Sequence, residues 1–315
     1  MLFLILLFQT DYHQLLIILE NSMVPETTLT SFDEWLNTLR DLLRQAEPAL
    51  LDIFETYAAE AKFGRSFIDS DLKKLPRGSR ILEVGAGAMI LSCQLTREGY
   101  TVTALEPVGE GFSHFTKLRL FILDQASKNS YSPKLLLQPA ETMTEKNQYD
   151  FAFSVYVMEH VNDVNITINK VAASLKQNSY YRFICPNYSF PYEPHFSIPT
   201  FFNKRLTFML LKNKIKNDVR FPDPIGVWSS LNWISVNQLN NIIKVNTILT
   251  IDFNKYVLQN TFDRVIYDEK FSARRSMIIV KLAKILSLMR LDKLLQYIPA
   301  GFSPIIDCSI TKRAL

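Results

Sequence analysis

The chain has 315 residues, enough for one large α/β domain with additions or for two modest domains. Its net charge of +4 is mild and lacks the concentrated basic stripe that nucleic-acid binding brings. Three cysteines without metal-ligand spacing and four scattered histidines argue against a structural metal site and fit a reducing, cytoplasmic setting.

The first 22 residues are apolar but interrupted by Gln9, Asp11, His13 and Gln14, so the unbroken run falls short of a membrane span. They have neither the basic flank nor the cleavage site of a secretory signal. Because Met23 precedes an ordinary polar beginning, residues 1–22 read as a start assigned too far upstream or as an added helix. From Thr30 to about Ser70 the spacing is helical. Ser31 is a candidate N-cap with Glu34 three residues on, a capping box, and Trp35, Leu39, Leu42 and Leu43 follow at helical spacing. Pro48 breaks this helix, and a second follows over 50–61. Residues 1–70 are thus expected to form a helical extension, with the main domain running from 71 to 315.

Ile81-Leu82-Glu83-Val84 reads as a buried strand that runs into Gly85-Ala86-Gly87, after which Met89–Leu95 takes up helical spacing. Strand, glycine turn and helix are what a parallel sheet uses to bring a nucleotide-like ligand against bare backbone. The chain has only nine glycines, so the cluster at 85, 87, 99, 109 and 111 gains weight. A second strand over 101–106 ends in Glu106-Pro107, and Glu106 stands 21 positions after Gly85, where an acid can accept from two ribose hydroxyls. A helix over 112–126, a strand at 135–137, a strand at 149–155, a helix at 166–175 and a strand at 180–185 continue the alternation. That rhythm predicts a doubly wound, mostly parallel α/β sheet of seven strands, the last two at 247–253 and 305–311. After Cys185 the rhythm changes. Prolines and aromatics over 186–245 suggest a cap insertion, and helices fill about 256–300.

In this order the motifs resemble class I S-adenosylmethionine-dependent methyltransferases, closest to the small-molecule, quinone-biosynthesis-like branch, over about Arg80 to Asn187. The resemblance rests on Glu83-Val84-Gly85-Ala86-Gly87, on Glu106, on Pro139-Ala140-Glu141, on Tyr149–Ser154 followed by Val157-Met158-Glu159-His160-Val161, and on Pro186-Asn187. Two departures stand out. Met89 occupies the place of a frequent third glycine and is expected to narrow the cofactor pocket. Leu175–Ser179 replaces the usual glycine turn before strand five.

The resemblance implies S-adenosyl-L-methionine as cofactor. Gly85, Ala86 and Gly87 would pass its methionine part, Glu83 would reach its ammonium, and Glu106 and Pro107 would lie at the ribose. Ala140 and Glu141 would meet the adenine, with Ser154 and Tyr156 beneath the sulfonium. His160 is the first candidate for a general base; a helix-start histidine bonded to backbone is the alternative. Tyr192 and His195, in the Phe190–Phe196 segment, are expected to face the substrate, unless that segment is only a rigid connector.

The expected reaction is methyl transfer to a small-molecule or lipid-like acceptor, oxygen slightly favoured. The alternatives are an NAD-dependent oxidoreductase and a non-catalytic cofactor-binding protein of the same fold. Strand four ends in Ser154-Val155-Tyr156 rather than Asn-Pro-Pro-Tyr, which argues against nucleic-acid methylation. The basic and apolar stretch 200–216 reads as a lid, with weak membrane-surface contact as its second reading.

Overall fold

The structure, a computed structural model, describes residues 26–107, 115–267 and 277–313. The readings made for 1–22, Gly109 and Gly111 lie outside the described residues. The chain divides into two compact units. The first runs to 155 and includes 166–181; the second holds 156–165 and 182 onward. The first unit takes in the helices before Arg80 together with the first strands.

In the first unit, α1 (Glu26–Ala46) and α2 (Leu51–Phe67) are separated by a 3-10 turn over Pro48–Leu50, where Pro48 interrupts the helix, and the short α3 (Asp69–Leu72) follows. The helix start differs from the capping-box expectation: α1 already begins at Glu26, so Ser31 lies inside it. Then come β1 (Arg80–Val84), α4 (Ile90–Arg97), β2 (Thr101–Leu105), α5 (Thr116–Lys128), β3 (Lys134–Leu136), β4 (Tyr149–Val155) and α6 (Val164–Ser174). Parallel pairing sets Ile81 beside Val102 and beside Phe151, so β1 lies between β2 and β4. That neighbourhood is the strand-order reversal at which open α/β sheets bind ligands, at the carboxyl ends.

The apolar face of α1 (Phe32, Leu36, Leu39, Leu43) is fully buried and joins Phe54, Ile81, Leu95, Phe151 and Phe153 in one core. Each such side chain contributes roughly 1.5–3 kcal/mol. Polar ties fix the helices to the sheet layer. Trp35 Nε1 donates to Tyr131 Oη at 2.9 Å, Tyr180 Oη donates to Asp71 at 2.8 Å, and the buried Arg65 bridges Glu98 at 2.9 Å and Asp69 at 3.0 Å.

Strand β5 (Leu175–Pro186) follows α6 directly. The expected turn at Leu175–Ser179 is instead the strand's first part, with Asn178 in the left-handed region at φ 62°. The second unit takes up β5 at Arg182 and continues with β6 (Tyr192–Glu193), β7 (Ile198–Pro199), α7 (Lys204–Lys216), α8 (Pro224–Ser230), α9 (Val236–Val245), β8 (Leu249–Phe253), α10 (Val257–Tyr267), α11 (Met277–Leu288) and β9 (Ile305–Lys312). β8 and β9 pair antiparallel, and the seven-stranded order is β3-β2-β1-β4-β5-β9-β8. This is the expected doubly wound sheet. Among the described residues, no helix is long and apolar enough to cross a membrane.

Candidate cofactor and acceptor sites

The turn after β1 is held from β2. Gly85 and Ala86 donate their amides to Leu105 O at 2.7 and 3.2 Å, and Gly87 donates to Glu106 Oε2 at 2.8 Å. Gly85 and Gly87 have φ of 76° and 50°, a backbone that disfavours any residue with a Cβ. Three successive amides of the turn are thus engaged within the protein. A pyrophosphate grip would instead aim them at an anion.

The charges around the turn carry the same message. Glu83 is buried beneath it, accepts from the buried Ser92 hydroxyl and is pushed up to about 8 by burial, with the Glu106 charge adding to the rise. Burial also raises Glu106, against the opposing Gly87 amide and the Arg119 charge, and lifts Glu60 of α2 to about 8. Tyr57, also on α2, packs beside Gly87: a Cβ added to Gly87 would stand 3.5 Å from its ring. Desolvation, Glu60 and Glu106 all raise the Tyr57 phenol. Buried carboxyl groups that resist ionisation gain from a cation placed beside them, and a carboxylate can accept from ribose hydroxyls. S-adenosylmethionine, with its ammonium, sulfonium and ribose, fits that requirement, and a dinucleotide's pyrophosphate does not. Tyr57 and Glu60 were not foreseen from the sequence, because they precede the turn by more than twenty positions.

Met89 caps α4 at φ 68°, the left-handed backbone that a glycine would take without cost. Its side chain is fully buried in the core shared with Leu91 and Leu118. The expected narrowing of the pocket is therefore corrected: the Met89 side chain fills core volume.

The other predicted cofactor positions divide. Pro107 is half-buried directly after Glu106, and Ala140 and Glu141 form a 3-10 turn after β3, Ala140 buried and Glu141 half-buried. Ser154 is fully buried and shares a hydrogen bond of 2.7 Å with Tyr181 Oη, which makes it a tie within the first unit. Tyr156 belongs to the second unit, at φ 54°, its amide bonded to Ile184 O at 2.9 Å.

The second unit brings His160 and His195 together, their rings 5.4 Å apart and edge to face. Asn232 clamps the His160 turn by donating to Met158 O at 2.7 Å and Val161 O at 2.8 Å, while its own amide reaches Glu159 O at 2.7 Å. His160 Nδ1 bonds Ser230 Oγ at 2.9 Å, and its ring is pushed down to about 3, chiefly by burial and further by His195 and Lys204. A general-base role for His160 would have to work against that burial. His195 Nδ1 bonds Glu193 Oε1 at 2.6 Å. The fully buried Glu193 carboxylate also accepts from the His195 and Phe196 amides at 3.1 and 2.7 Å and from Tyr188 Oη at 3.2 Å. Tyr192 is buried in an apolar cluster with Phe190, Leu258 and Phe262, a core placement at a position expected to face substrate. Glu159 and Glu193 were missed as partners, although both stand in the segments that drew attention to the histidines.

The sequence profile of a methyltransferase-domain family matches residues 54–241, starting inside α2. An uncharacterized protein of Mycobacterium tuberculosis is 40% identical over 281 residues, 89% of this chain and 95% of that one. A ubiquinone biosynthesis O-methyltransferase of Salmonella arizonae is 30% identical over 99 residues, 31% of this chain and 39% of that one. Among solved structures, a geranyl diphosphate methyltransferase in complex with SAM aligns at 11% identity and TM-score 0.46, covering 83% of this chain and 88% of its own. The chain belongs to the methyltransferase-domain family, and its cofactor is S-adenosyl-L-methionine. The oxidoreductase alternative is not favoured.

Proposed function

We propose that the chain transfers a methyl group from S-adenosylmethionine to the hydroxyl of a small or lipid-like acceptor. The observation that carries the cofactor half is the Glu106–Gly87 bond, which sets a buried carboxylate against the glycine turn. Glu83 would take the ammonium and Glu106 the ribose hydroxyls, each through charge-assisted bonds. When bound, the cofactor supplies an activated methyl on a sulfonium. The S–CH3 bond would break as the O–CH3 bond forms, S-adenosylhomocysteine would leave, and the acceptor's hydroxyl proton would pass to water or be lost beforehand as a phenolate forms. The chain's own contribution is alignment and exclusion of bulk water. The local similarity to ubiquinone biosynthesis O-methyltransferases supports oxygen as nucleophile. The aromatic second unit, where Tyr188 stacks on Trp233 at 5.2 Å, supports a planar or greasy acceptor.

The lid reading of 200–216 is supported by α7, whose Ile215, Phe208 and Leu211 pack with Trp228 and Phe196. Its outer face carries exposed Met209 and Leu210 with Arg205, Lys212 and Lys216, next to the fully exposed Phe202. That mixture supports transient contact with an anionic lipid surface.

Methyl-labelled S-adenosylmethionine, incubated with panels of phenols, prenylated phenols and amines, tests the acceptor class. Label recovered in ethers supports the reading; label confined to amines overturns it. Calorimetry with S-adenosylhomocysteine separately tests the cofactor half.

A further inference from the structure

Glu159, His160 and His195 each place one ligand-capable atom within 4.8 Å of the others, and all three belong to the second unit. Donors bound tetrahedrally at about 2.0–2.2 Å stand roughly 3.4 Å apart, so small side-chain adjustments would close the set on one ion. We propose that these three residues bind a divalent transition-metal ion.

The surroundings are those of a built site. Metal-binding histidines have their second nitrogen held by a carboxylate or other acceptor, which fixes the tautomer and aims the first. Here His195 Nδ1 is held by Glu193 at 2.6 Å and His160 Nδ1 by Ser230 Oγ at 2.9 Å. On both rings, Nε2 is then the nitrogen that takes the ion. Asn232 fixes the Glu159–His160 turn through both its side-chain amide and its backbone amide.

Charge agrees. Glu159 and Glu193 are both fully buried, and the Nζ of Lys204 is turned onto the Ser229 and Leu231 carbonyls at 3.0 and 2.5 Å. Buried carboxylates favour a positive ion beside them. Two imidazoles and one carboxylate suit zinc, manganese or iron(II) better than magnesium, which prefers oxygen ligands and water. The ion ties the turn after β4 to the loop that carries His195. With three protein ligands, it keeps at least one coordination position for water or another oxygen ligand.

The test uses full-length protein stripped with EDTA and titrated calorimetrically with zinc, manganese and magnesium chlorides. Expected is one ion per chain, zinc tighter than manganese and magnesium weakest. His195→Asn and Glu159→Gln remove stoichiometric uptake. Glu193→Gln, which touches no ion, weakens uptake ten- to a hundredfold. Cobalt(II) gives visible ligand-field bands of a nitrogen-bearing site that vanish in His195→Asn. Circular dichroism confirms that each variant is folded. If the variants do not fold, the cobalt spectrum of the unsubstituted protein decides, and oxygen-only bands overturn the site. Absence of stoichiometric uptake by the folded protein, or unchanged affinity in the His160→Asn/His195→Asn double variant, also overturns it. These readouts need no methyl acceptor, so failure here and failure of the proposed reaction are told apart.

Discussion

The Glu106 carboxylate accepts the Gly87 amide at 2.8 Å, so the acid after β2 and the turn after β1 orient one another. One of its oxygens is engaged by backbone, which presents the group to ribose in a fixed attitude. Glu106→Ala loses charge-assisted bonds to the hydroxyls, each contributing about 1.5–3 kcal/mol. Affinity for S-adenosylhomocysteine is expected to fall roughly a hundredfold. Calorimetry measures that loss, and an unchanged far-ultraviolet spectrum shows that the sheet persists. Affinity within threefold of the unsubstituted protein would remove Glu106 from the cofactor site.

Glu83 makes cofactor binding and stability depend on pH in a defined sense. Its folded value of about 8 lies above the roughly 4.3 of an unfolded glutamate. The folded state therefore holds the proton more tightly. The resulting stability is present below pH ~4 and is lost as pH rises through about 8. Urea titrations at pH 5, 7 and 9 should show declining stability, with a shallower decline in Glu83→Gln. An ammonium placed beside Glu83 favours its ionised form, so binding near pH 7 should release a proton. Calorimetric enthalpies in phosphate and Tris will then differ; equal enthalpies in the two buffers would contradict the assignment.

Met89 is held in a glycine-like conformation while its side chain is fully buried. Met89→Gly relieves a strain of about 1 kcal/mol but empties core volume that costs about 2–5 kcal/mol to lose. A net destabilisation of roughly 1–4 kcal/mol is expected, read as a lower urea midpoint. Affinity for S-adenosylhomocysteine should stay within threefold, because the side chain points to the core. A large gain in affinity would restore the narrowed-pocket reading.

Phe202, Met209 and Leu210 give the lipid-surface reading its test. Replacing all three with serine removes exposed apolar area without touching the buried Thr207 and Ile215. Cosedimentation with phosphatidylglycerol vesicles should fall severalfold, whereas phosphatidylcholine vesicles bind neither protein. Equal binding of both proteins to anionic vesicles would rule the face out.

Local chemistry explains which features were legible in the sequence. Residues 80–97 announce themselves because a β-branched and aliphatic run, two glycines and a helical period follow within eighteen positions. Strand β4, at Tyr149–Val155, was read with its bounds because both its composition and its flanking turns agree. Tertiary packing decided the rest. Tyr57 reaches the glycine turn, with the Glu60 charge acting on its phenol, because α2 lies close on α4: a Cβ on Gly64 would stand 2.7 Å from Leu91 Cδ2, and nothing in their spacing reports that approach. Leu175–Ser179 carries turn-forming residues yet is strand, since pairing overrides a local preference for bending. His160 and His195 lie thirty-five positions apart, and their meeting depends on the clamp supplied by Asn232 from a third segment.

Glu193 gathers the Tyr188 hydroxyl, the His195 and Phe196 amides and the His195 ring onto one carboxylate. Every one of those donors lies between 188 and 196, so the bend is written within nine consecutive residues. The bend is thus closed locally, while Phe190 and Tyr192 moor it to Leu258 and Phe262, so its curvature and its anchorage are set by different neighbours and can change independently.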